Sequence, residues 1–210
     1  METKVALAEL RKEKKRKFVQ TVDLIVNLKN FDVRKEALNT FIDIPHPTNK
    51  KVGAFLTKRS KLIESITEED FVKYKDIKDI KKLAKSYDSF IAAAPMMGKI
   101  ATKFGRVFGP MNKMPSPQAG IIAKEDDATI SAMIEKMKHV ARIKNKEASI
   151  KLVCGKEDMS DEDITENIVS MLKSLEGKLP RGRDNIREVL IKFTMTKSLK
   201  IMEDMYGSKN

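Results

Sequence analysis

The sequence is poor in the residues that build covalently linked or metal-centred scaffolds. Its 210 residues include one cysteine, Cys154, two histidines, no tryptophan and only 6% aromatic residues. A single cysteine excludes an intramolecular disulfide and a zinc site with two or more cysteine ligands. The longest apolar runs are far shorter than the roughly 20 residues of a membrane span, and Lys and Glu prevail where a signal peptide would be apolar. We therefore expect a cytoplasmic protein with no membrane partner.

Positive charge is what the sequence has in excess. It carries 42 Lys plus Arg against 30 Asp plus Glu, a net charge of +12, while 41% hydrophobic residues suffice for a packed core. Residues 1–64 hold 15 basic and 8 acidic groups, residues 65–147 hold 16 and 11, and residues 148–210 hold 11 of each. Lys outnumbers Arg by 33 to 9, which favours contacts with phosphates. The excess indicates a polyanionic partner.

Two segments concentrate this charge. Residues 11–17 contain six basic residues in seven, which suits either a phosphate-binding surface or the solvated face of a helix. Residues 89–124 contain no acid, four of the seven prolines and four of the nine glycines, and we expect this segment to face phosphate. Its basic residues are Lys99, Lys103, Arg106, Lys113 and Lys124.

The two ends of the chain have the pattern of a small α+β fold. In residues 18–28 apolar side chains alternate with polar ones, among them Thr21, Asp23 and Asn27, which predicts a strand with one buried face. Neither end is large enough to bury a sheet alone, so we expect the ends to join. The strands expected there cover residues 18–28, 39–44, 149–154 and 189–201, and the helices cover 3–16 and 160–175.

Strands and helices alternate in the middle of the chain, which predicts a parallel α/β layer domain. The strands expected there cover residues 51–57, 71–74 and 89–94, the helices cover 61–66, 76–86, 96–104 and 126–140, and a Gly/Pro loop covers 105–120. The expected fold is thus α/β plus α+β with two domains. A split α+β domain of residues 1–52 and 147–210 carries an inserted three-layer, Rossmann-like α/β domain of residues 53–146.

No motif for catalysis stands out. Gly98-Lys99 is followed by Ile100, so no phosphate-binding P-loop is present, and no Gly-x-Gly-x-x-Gly follows a strand. His46 and His139 lie in different predicted elements, and Cys154 lies on an apolar strand, where we expect it to be buried. We therefore expect no catalytic residue, metal or cofactor. The alternative is an α/β enzyme that acts on a phosphorylated substrate at residues 98–113.

Two separated segments carry a family resemblance. Residues 105–117 read Gly-Arg-Val-Phe-Gly-Pro-Met-Asn-Lys-Met-Pro-Ser-Pro, similar to the signature Leu-Gly-Pro-Arg-Gly-x-Met-Pro-x-Pro, and residues 192–195 read Lys-Phe-Thr-Met. Lys17-Phe18-x-x-Thr21-x-Asp23, Ile44-Pro-His46 and Gly155-Lys156 add support. The sequence resembles the ribosomal protein family of the mobile side stalk of the large subunit, the L-one family, in an archaeal or eukaryotic-like form.

The resemblance implies two domains, the second inserted into the first. It implies binding to a helical junction of large-subunit ribosomal RNA, contact with other ribosomal components, and help in releasing transfer RNA from the exit site. Several members also bind their own messenger RNA and repress its translation. By resemblance, the RNA-binding residues are Lys17, Phe18, Thr21, Asp23, Lys151, Gly155, Thr194, Met195, Thr196 and Lys197. The basic residues of segment 89–124 are expected to make secondary RNA contacts.

The residue pattern supports part of this assignment. Thr21, Asp23 and Thr194 project from predicted polar strand faces, where hydroxyl and carboxylate groups can recognise ribose hydroxyls. Phe18 and Met195 fall on the opposite, apolar face, so packing in the core is the alternative for them.

The chain departs from the family pattern at two loops. Thr196-Lys197 stands where Gly-Pro is usual, so a Cβ hinders close approach of the backbone to RNA, and Lys197 can compensate with a phosphate contact. Met111-Asn112 replaces Arg-Gly, and asparagine tolerates positive φ better than most residues.

Overall fold

A computed structural model describes residues 1–14, 16–36, 38–117, 119–145 and 147–201. Lys15 of the basic run and residues 202–210 of the expected terminal domain lie outside the described residues. The fold is mixed α/β with several sheets, one of them parallel. Backbone contacts divide the chain into two compact units. We call Met1–Thr48 with the described residues from His139 onward the terminal unit, and Asn49–Lys138 the central unit.

The terminal unit is built on a four-stranded antiparallel sheet with the strand order β10-β9-β1-β8, and β2 and β7 form a separate antiparallel pair. Its helices are α1 (Thr3–Lys12) and α5 (Asp161–Glu176), and its strands are β1 (Thr21–Leu28), β2 (Asn39–Asp43), β7 (Val140–Lys144), β8 (Ser149–Lys156), β9 (Ile186–Phe193) and β10 (Leu199–Ile201).

The period-two pattern of β1 decides which face of this sheet is buried. Val22, Leu24 and Val26 are fully buried and share one core with the apolar stripes of α1 and α5. Residues 21, 23, 25 and 27 point to the other face and are half-buried. The start of α5 is set by Ser160, whose Oγ accepts a hydrogen bond from the Asp163 amide at 3.1 Å. The buried face of β1 and the start of α5 confirm the sequence prediction.

The central unit contains a parallel sheet with the strand order β4-β3-β5-β6. Its strands are β3 (Val52–Phe55), β4 (Ser65–Ile66), β5 (Ser89–Ala93) and β6 (Ile121–Ile122), and its helices are α2 (Ile77–Ser86), α3 (Met97–Phe108) and α4 (Asp127–Lys138). Its core is aromatic: Phe55 lies within 6.0 Å of Phe71, Phe90, Phe104 and Phe108, measured between ring centroids. These contacts extend α3 to Phe108, beyond the expected end at residue 104.

Two expected elements of the middle segment are wrong, and the strand β7 was not expected. Residues 61–66 form no helix, and their end pairs with β3 as β4. Residues 71–74 form no strand, because the 3₁₀-helix Glu68–Lys73 covers most of them. This helix starts at Thr67, whose amide and Oγ1 both donate to Asp70 Oδ2. The unexpected strand β7 follows α4 directly and pairs with β2, although the sequence pattern groups residues 140–146 with the middle segment.

The long final strand expected at 189–201 is also wrong. The chain leaves β9 after Phe193, turns, and returns antiparallel as β10, with Leu199 opposite Ile191 and Ile201 opposite Val189. Thr194 and Met195 therefore lie in a turn and not on a strand face. This turn is at the end of the sheet where β1 begins, because Val22 pairs with Phe193.

Candidate nucleic-acid interface

Polar and aromatic side chains meet where β1 begins and β9 ends. We call this area the sheet-end surface and define it by Lys17, Phe18, Thr21, Asp23, Thr194 and Met195. At its centre the Thr194 amide donates to the Thr21 carbonyl oxygen at 3.1 Å, and the Thr21 amide donates to Thr194 Oγ1 at 3.0 Å. The two hydroxyl oxygens share a hydrogen bond at 2.9 Å. The threonines thus form a fixed pair of hydroxyls at the edge of the solvent.

Asp23 adds a carboxylate to the same face of β1. Its Oδ1 accepts a hydrogen bond from Thr21 Oγ1 at 3.4 Å, and its neighbours across the sheet are Val153 on β8 and Lys192 on β9. Burial raises the pKa of Asp23, although the Thr21 hydroxyl and the Lys192 charge act in the opposite direction. A half-buried carboxylate held in this way is a directed hydrogen-bond acceptor for a ribose hydroxyl.

The turn after β9 is closed by a side chain. The Thr196 amide donates to the Phe193 carbonyl oxygen at 3.2 Å, and Thr196 Oγ1 accepts from the Phe193 amide at 2.9 Å. The glycine that is usual at this position has no hydroxyl to accept the second hydrogen bond. The Thr196 side chain therefore stabilises this turn by a bond that glycine cannot form. Met195 at the tip is 54% exposed, and Lys197 follows it into solvent. The alternative that Met195 packs in the core is therefore wrong, because Met195 lies in the turn after β9 and not on a strand.

Phe18 and Lys17 lie before the first residue of β1. Phe18 is 53% exposed, which overturns core packing for it as well. Both line an open depression of about 600 Å³, whose other walls include Arg16 and the two acidic residues Glu157 and Asp158. Arg11, at the back, donates to Asp161 Oδ1 and to the carbonyl oxygens of the loop after β8. The depression thus offers an aromatic ring beside exposed cations, a combination that suits an unstacked base and its phosphate.

Two further expected RNA contacts lie along β8. Lys151 is exposed on the open face of the sheet, opposite Ile25, and its Nζ lies 3.8 Å from Glu147. Gly155 is buried, and a Cβ at this position would lie 3.0 Å from Ile164 Cγ1. Packing of β8 against α5 therefore explains the glycine without RNA.

A buried amide beside the sheet-end surface escaped the sequence analysis. Gln20 is 3% exposed, and its Oε1 accepts a hydrogen bond from the Met195 amide at 3.1 Å. The signal was present, since Gln20 is the one polar residue on the apolar face of the strand predicted at 18–28. A buried polar side chain implies a specific hydrogen-bond partner.

In the central unit the expected basic contacts have different surroundings. Lys99, Lys103 and Arg106 follow one another at intervals of four and three residues and so lie on one face of α3. The Lys99 ammonium is paired with Glu68, whereas Arg106 and Lys124 are exposed. Lys113 donates to the carbonyl oxygens of Ala84 and Tyr87 at the C-terminal end of α2, and burial lowers its pKa.

One residue of the Gly/Pro loop has a backbone conformation that is uncommon for residues other than glycine. Asn112 has φ 58°, so it adopts the left-handed conformation for which the family signature uses glycine. Helix α2 carries a second basic face that was not predicted, although lysines spaced by three, four and seven residues indicate it in the sequence. The lysines of this face, all exposed, are Lys78, Lys81, Lys82 and Lys85.

The residues considered for catalysis have structural surroundings. Cys154 is fully buried, which raises the pKa of its thiol. His46 Nε2 lies 2.6 Å from Glu166 Oε2, and His139 Nδ1 lies 3.1 Å from the Ile44 carbonyl oxygen. Among the described residues, no three His, Cys, Asp or Glu side chains group as a metal site would require. Within the described ranges, no helix is both long and apolar enough to span a membrane.

Comparison with known proteins agrees with the resemblance. The sequence profile of the Ribosomal protein L1p/L10e family matches residues 10–197. The chain is 36% identical over 201 residues to the large ribosomal subunit protein uL1 of Thermococcus kodakarensis, with 90% of each chain covered. It is 34% identical over 204 residues to the uL1 protein of Nanoarchaeum equitans, with 91% of this chain and 95% of the relative covered. The uL1 protein of Pyrococcus horikoshii is 36% identical over 203 residues, with 90% and 89% covered.

Proposed function

Because this chain belongs to the Ribosomal protein L1p/L10e family, we propose that it is a structural constituent of the large ribosomal subunit in the cytoplasm and not an enzyme. It binds large-subunit ribosomal RNA at the mobile side stalk. The sheet-end surface makes the selective contact, and basic residues elsewhere hold the phosphate backbone.

The observation that carries this proposal is the pair of hydroxyls formed by Thr21 and Thr194. Each threonine is fixed by a hydrogen bond to the backbone or side chain of the other, so the hydroxyls are preorganised before any ligand arrives. The Asp23 carboxylate lies beside them, and Phe18 and Met195 supply exposed apolar groups. Such a mixture suits folded RNA with accessible ribose hydroxyls and unstacked bases.

We assign the two compact units to two domains. The terminal unit is the RNA-anchoring domain, split in sequence, and the central unit is the inserted domain with a three-layer, Rossmann-like arrangement. Pairing of β7 with β2 favours boundaries near residues 48 and 139 over the boundaries near 52 and 147 that the sequence suggests.

The central unit contributes phosphate contacts in this proposal. The basic face of α3 supports this role, as does the lysine face of α2. Lys113 argues against an enzyme for phosphorylated substrates at 98–113, because its ammonium is held by the carbonyl oxygens of Ala84 and Tyr87 at the C-terminal end of α2.

Transfer RNA at the exit site and the protein's own messenger RNA are further partners in this proposal. Both RNAs would contact the sheet-end surface and the basic faces of the central unit. A messenger that imitates the ribosomal junction would compete for the sheet-end surface, whereas transfer RNA held mainly through phosphates would compete weakly.

Footprinting tests the proposed function. Hydroxyl-radical cleavage of Thermococcus kodakarensis large-subunit ribosomal RNA, with and without the protein, should reveal protection confined to one helical junction of the side stalk. An excess of unrelated duplex RNA should leave this protection intact. Protection spread over many helices, or removed by the duplex, would contradict the proposal.

A further inference from the structure

Gln20 connects the two chain segments of the sheet-end surface to each other and to the loop after β8. It precedes Thr21 on β1, and its Oε1 accepts from the Met195 amide in the turn after β9. Its Nε2 donates to Glu157 Oε2, in the loop after β8, at 3.4 Å. At 3% exposed, the amide has lost its contacts with water, so these protein partners satisfy it.

Glu157 binds the backbone of Gln20 as well as its side chain. The Gln20 amide donates to Glu157 Oε2 at 3.2 Å, and the Glu157 amide donates to the Gln20 carbonyl oxygen at 2.9 Å. The two residues thus bind each other reciprocally, and the Gln20 side chain extends this link to Met195.

The partners determine how the amide of Gln20 must be oriented. Met195 offers an N–H and needs an acceptor, whereas the Glu157 carboxylate needs a donor. Only an amide with Oε1 toward Met195 and Nε2 toward Glu157 satisfies both. A glutamate at position 20 would place two carboxylates together, and an apolar residue would leave the Met195 amide without its acceptor.

We propose that Gln20 is a positioning residue that fixes the Met195 turn for RNA binding, an inference that rests on the proposed function. The turn keeps its internal bonds through Thr196 without Gln20, and the core beneath β1 is built by other side chains. Loss of the amide therefore changes the placement of the turn more than the stability of the fold.

The test measures the affinity for RNA and the thermal midpoint of the same variants. Gln20→Met keeps the size of the side chain and the net charge but removes both side-chain hydrogen bonds. We expect its affinity for a transcript of the side-stalk junction to fall about tenfold. The Met195 amide should exchange its proton faster than in the wild type, and the slope of affinity against salt should stay unchanged.

Asn185 provides a matched control at the opposite end of β9. It is fully buried, its Nδ2 donates to the Lys29 and Asn30 carbonyl oxygens, and its Oδ1 accepts from the Arg181 amide. Asn185→Leu should lower the thermal midpoint and leave the affinity of the folded protein for the junction unchanged. An equal loss of affinity in both variants would reduce Gln20 to a purely structural residue and overturn the inference.

A reciprocal exchange covers the case in which Gln20→Met does not fold. Gln20→Glu should weaken binding, whereas Glu157→Gln alone keeps an oxygen that can accept from Gln20 and measures the effect of the lost charge separately. The double variant should recover affinity, because the new amide at position 157 can donate to the new carboxylate at position 20. Purely additive effects of the two charge changes would contradict the inference.

The outcome for the wild type separates the two proposals. A wild type that selects the junction while Gln20 variants bind equally well overturns only the inference, whereas a wild type without selectivity overturns the proposed function too.

Discussion

The sheet-end surface of the terminal unit and the helix faces of the central unit differ in their chemistry. At the sheet end of the terminal unit, hydroxyls, an amide and one carboxylate are fixed by hydrogen bonds among themselves and to the backbone. On the central unit, ammonium groups stand on long flexible stems along α2 and α3. The difference indicates a division of labour, since fixed polar groups distinguish RNA structures whereas mobile cations attract any polyanion.

The charge excess is therefore a poor guide to the selective surface. The last 63 residues carry no net charge, yet they contribute Thr194 and Met195. In the proposed function, encounter and holding come from the basic segments, and selectivity comes from the nearly neutral sheet-end surface.

Separating the two units should give the largest effect, which is the complete loss of selectivity in the isolated central unit. Residues 1–48 joined by a short linker to residues 139–210 should bind the side-stalk junction within about tenfold of the full chain, since the lost central contacts are phosphate contacts. Residues 49–138 alone should not distinguish the junction from an unrelated duplex. Filter binding measures both, and circular dichroism verifies folding. A folded terminal unit that does not bind would transfer selectivity to the central unit.

Thr194→Val should have the next largest effect. It removes a hydroxyl that bonds Thr21 and leaves the Thr21 amide without its side-chain acceptor. We expect the junction affinity to fall by about 1–3 kcal/mol, the scale of one specific contact or one unsatisfied polar group. Thr165→Val on α5 is the control, because the Thr165 hydroxyl donates to its own helix backbone. Equal binding by both folded variants would remove Thr194 from the interface.

Asp23→Asn should separate stability from selectivity. Burial raises the pKa of Asp23, so the charged carboxylate destabilises the folded state at neutral pH. The variant should therefore unfold at a higher temperature at pH 7, and this difference should vanish as the pH falls below the unfolded value of 3.8. The preference for the junction over duplex should decrease about threefold to tenfold. An unchanged preference would show that the carboxylate has no part in recognition.

Neutralising the α3 face should give the smallest and least selective effect. Lys103→Gln with Arg106→Gln should lower affinity for junction and duplex alike, and reduce the slope of log affinity against log salt by about 2. Lys113→Met should instead lower the thermal midpoint, because the carbonyl oxygens of Ala84 and Tyr87 lose this donor. A loss confined to the junction in the double variant would contradict the division of labour.

The sequence predicted the regular elements best where periodicity and capping agree. The Ser160 cap and the apolar stripe behind it define α5, and the alternation of β1 defines its buried face. The expected residues Thr21, Asp23 and Thr194 do lie together, although Thr194 lies in a turn and not on the strand face predicted for it.

The break after β9 could not be read from periodicity. Five residues separate Phe193 from Leu199, so the apolar positions keep the same parity on both strands, and the turn contains neither Gly nor Pro. The tertiary pairing of β10 with β9 therefore decides the turn. The two-residue strand β4 shows the same limit, because its pairing with β3 overrides a helical pattern.

Binding measured across a salt series tests the division of labour most directly. Dissociation constants of the full chain for the side-stalk junction and for an unrelated duplex of equal length should be measured from about 50 to 200 mM salt. We predict that both affinities fall with similar slopes while a gap of about 100-fold or more between them persists at the highest salt. Equal affinities throughout, or a gap that closes as salt rises, would contradict selectivity by the sheet-end surface.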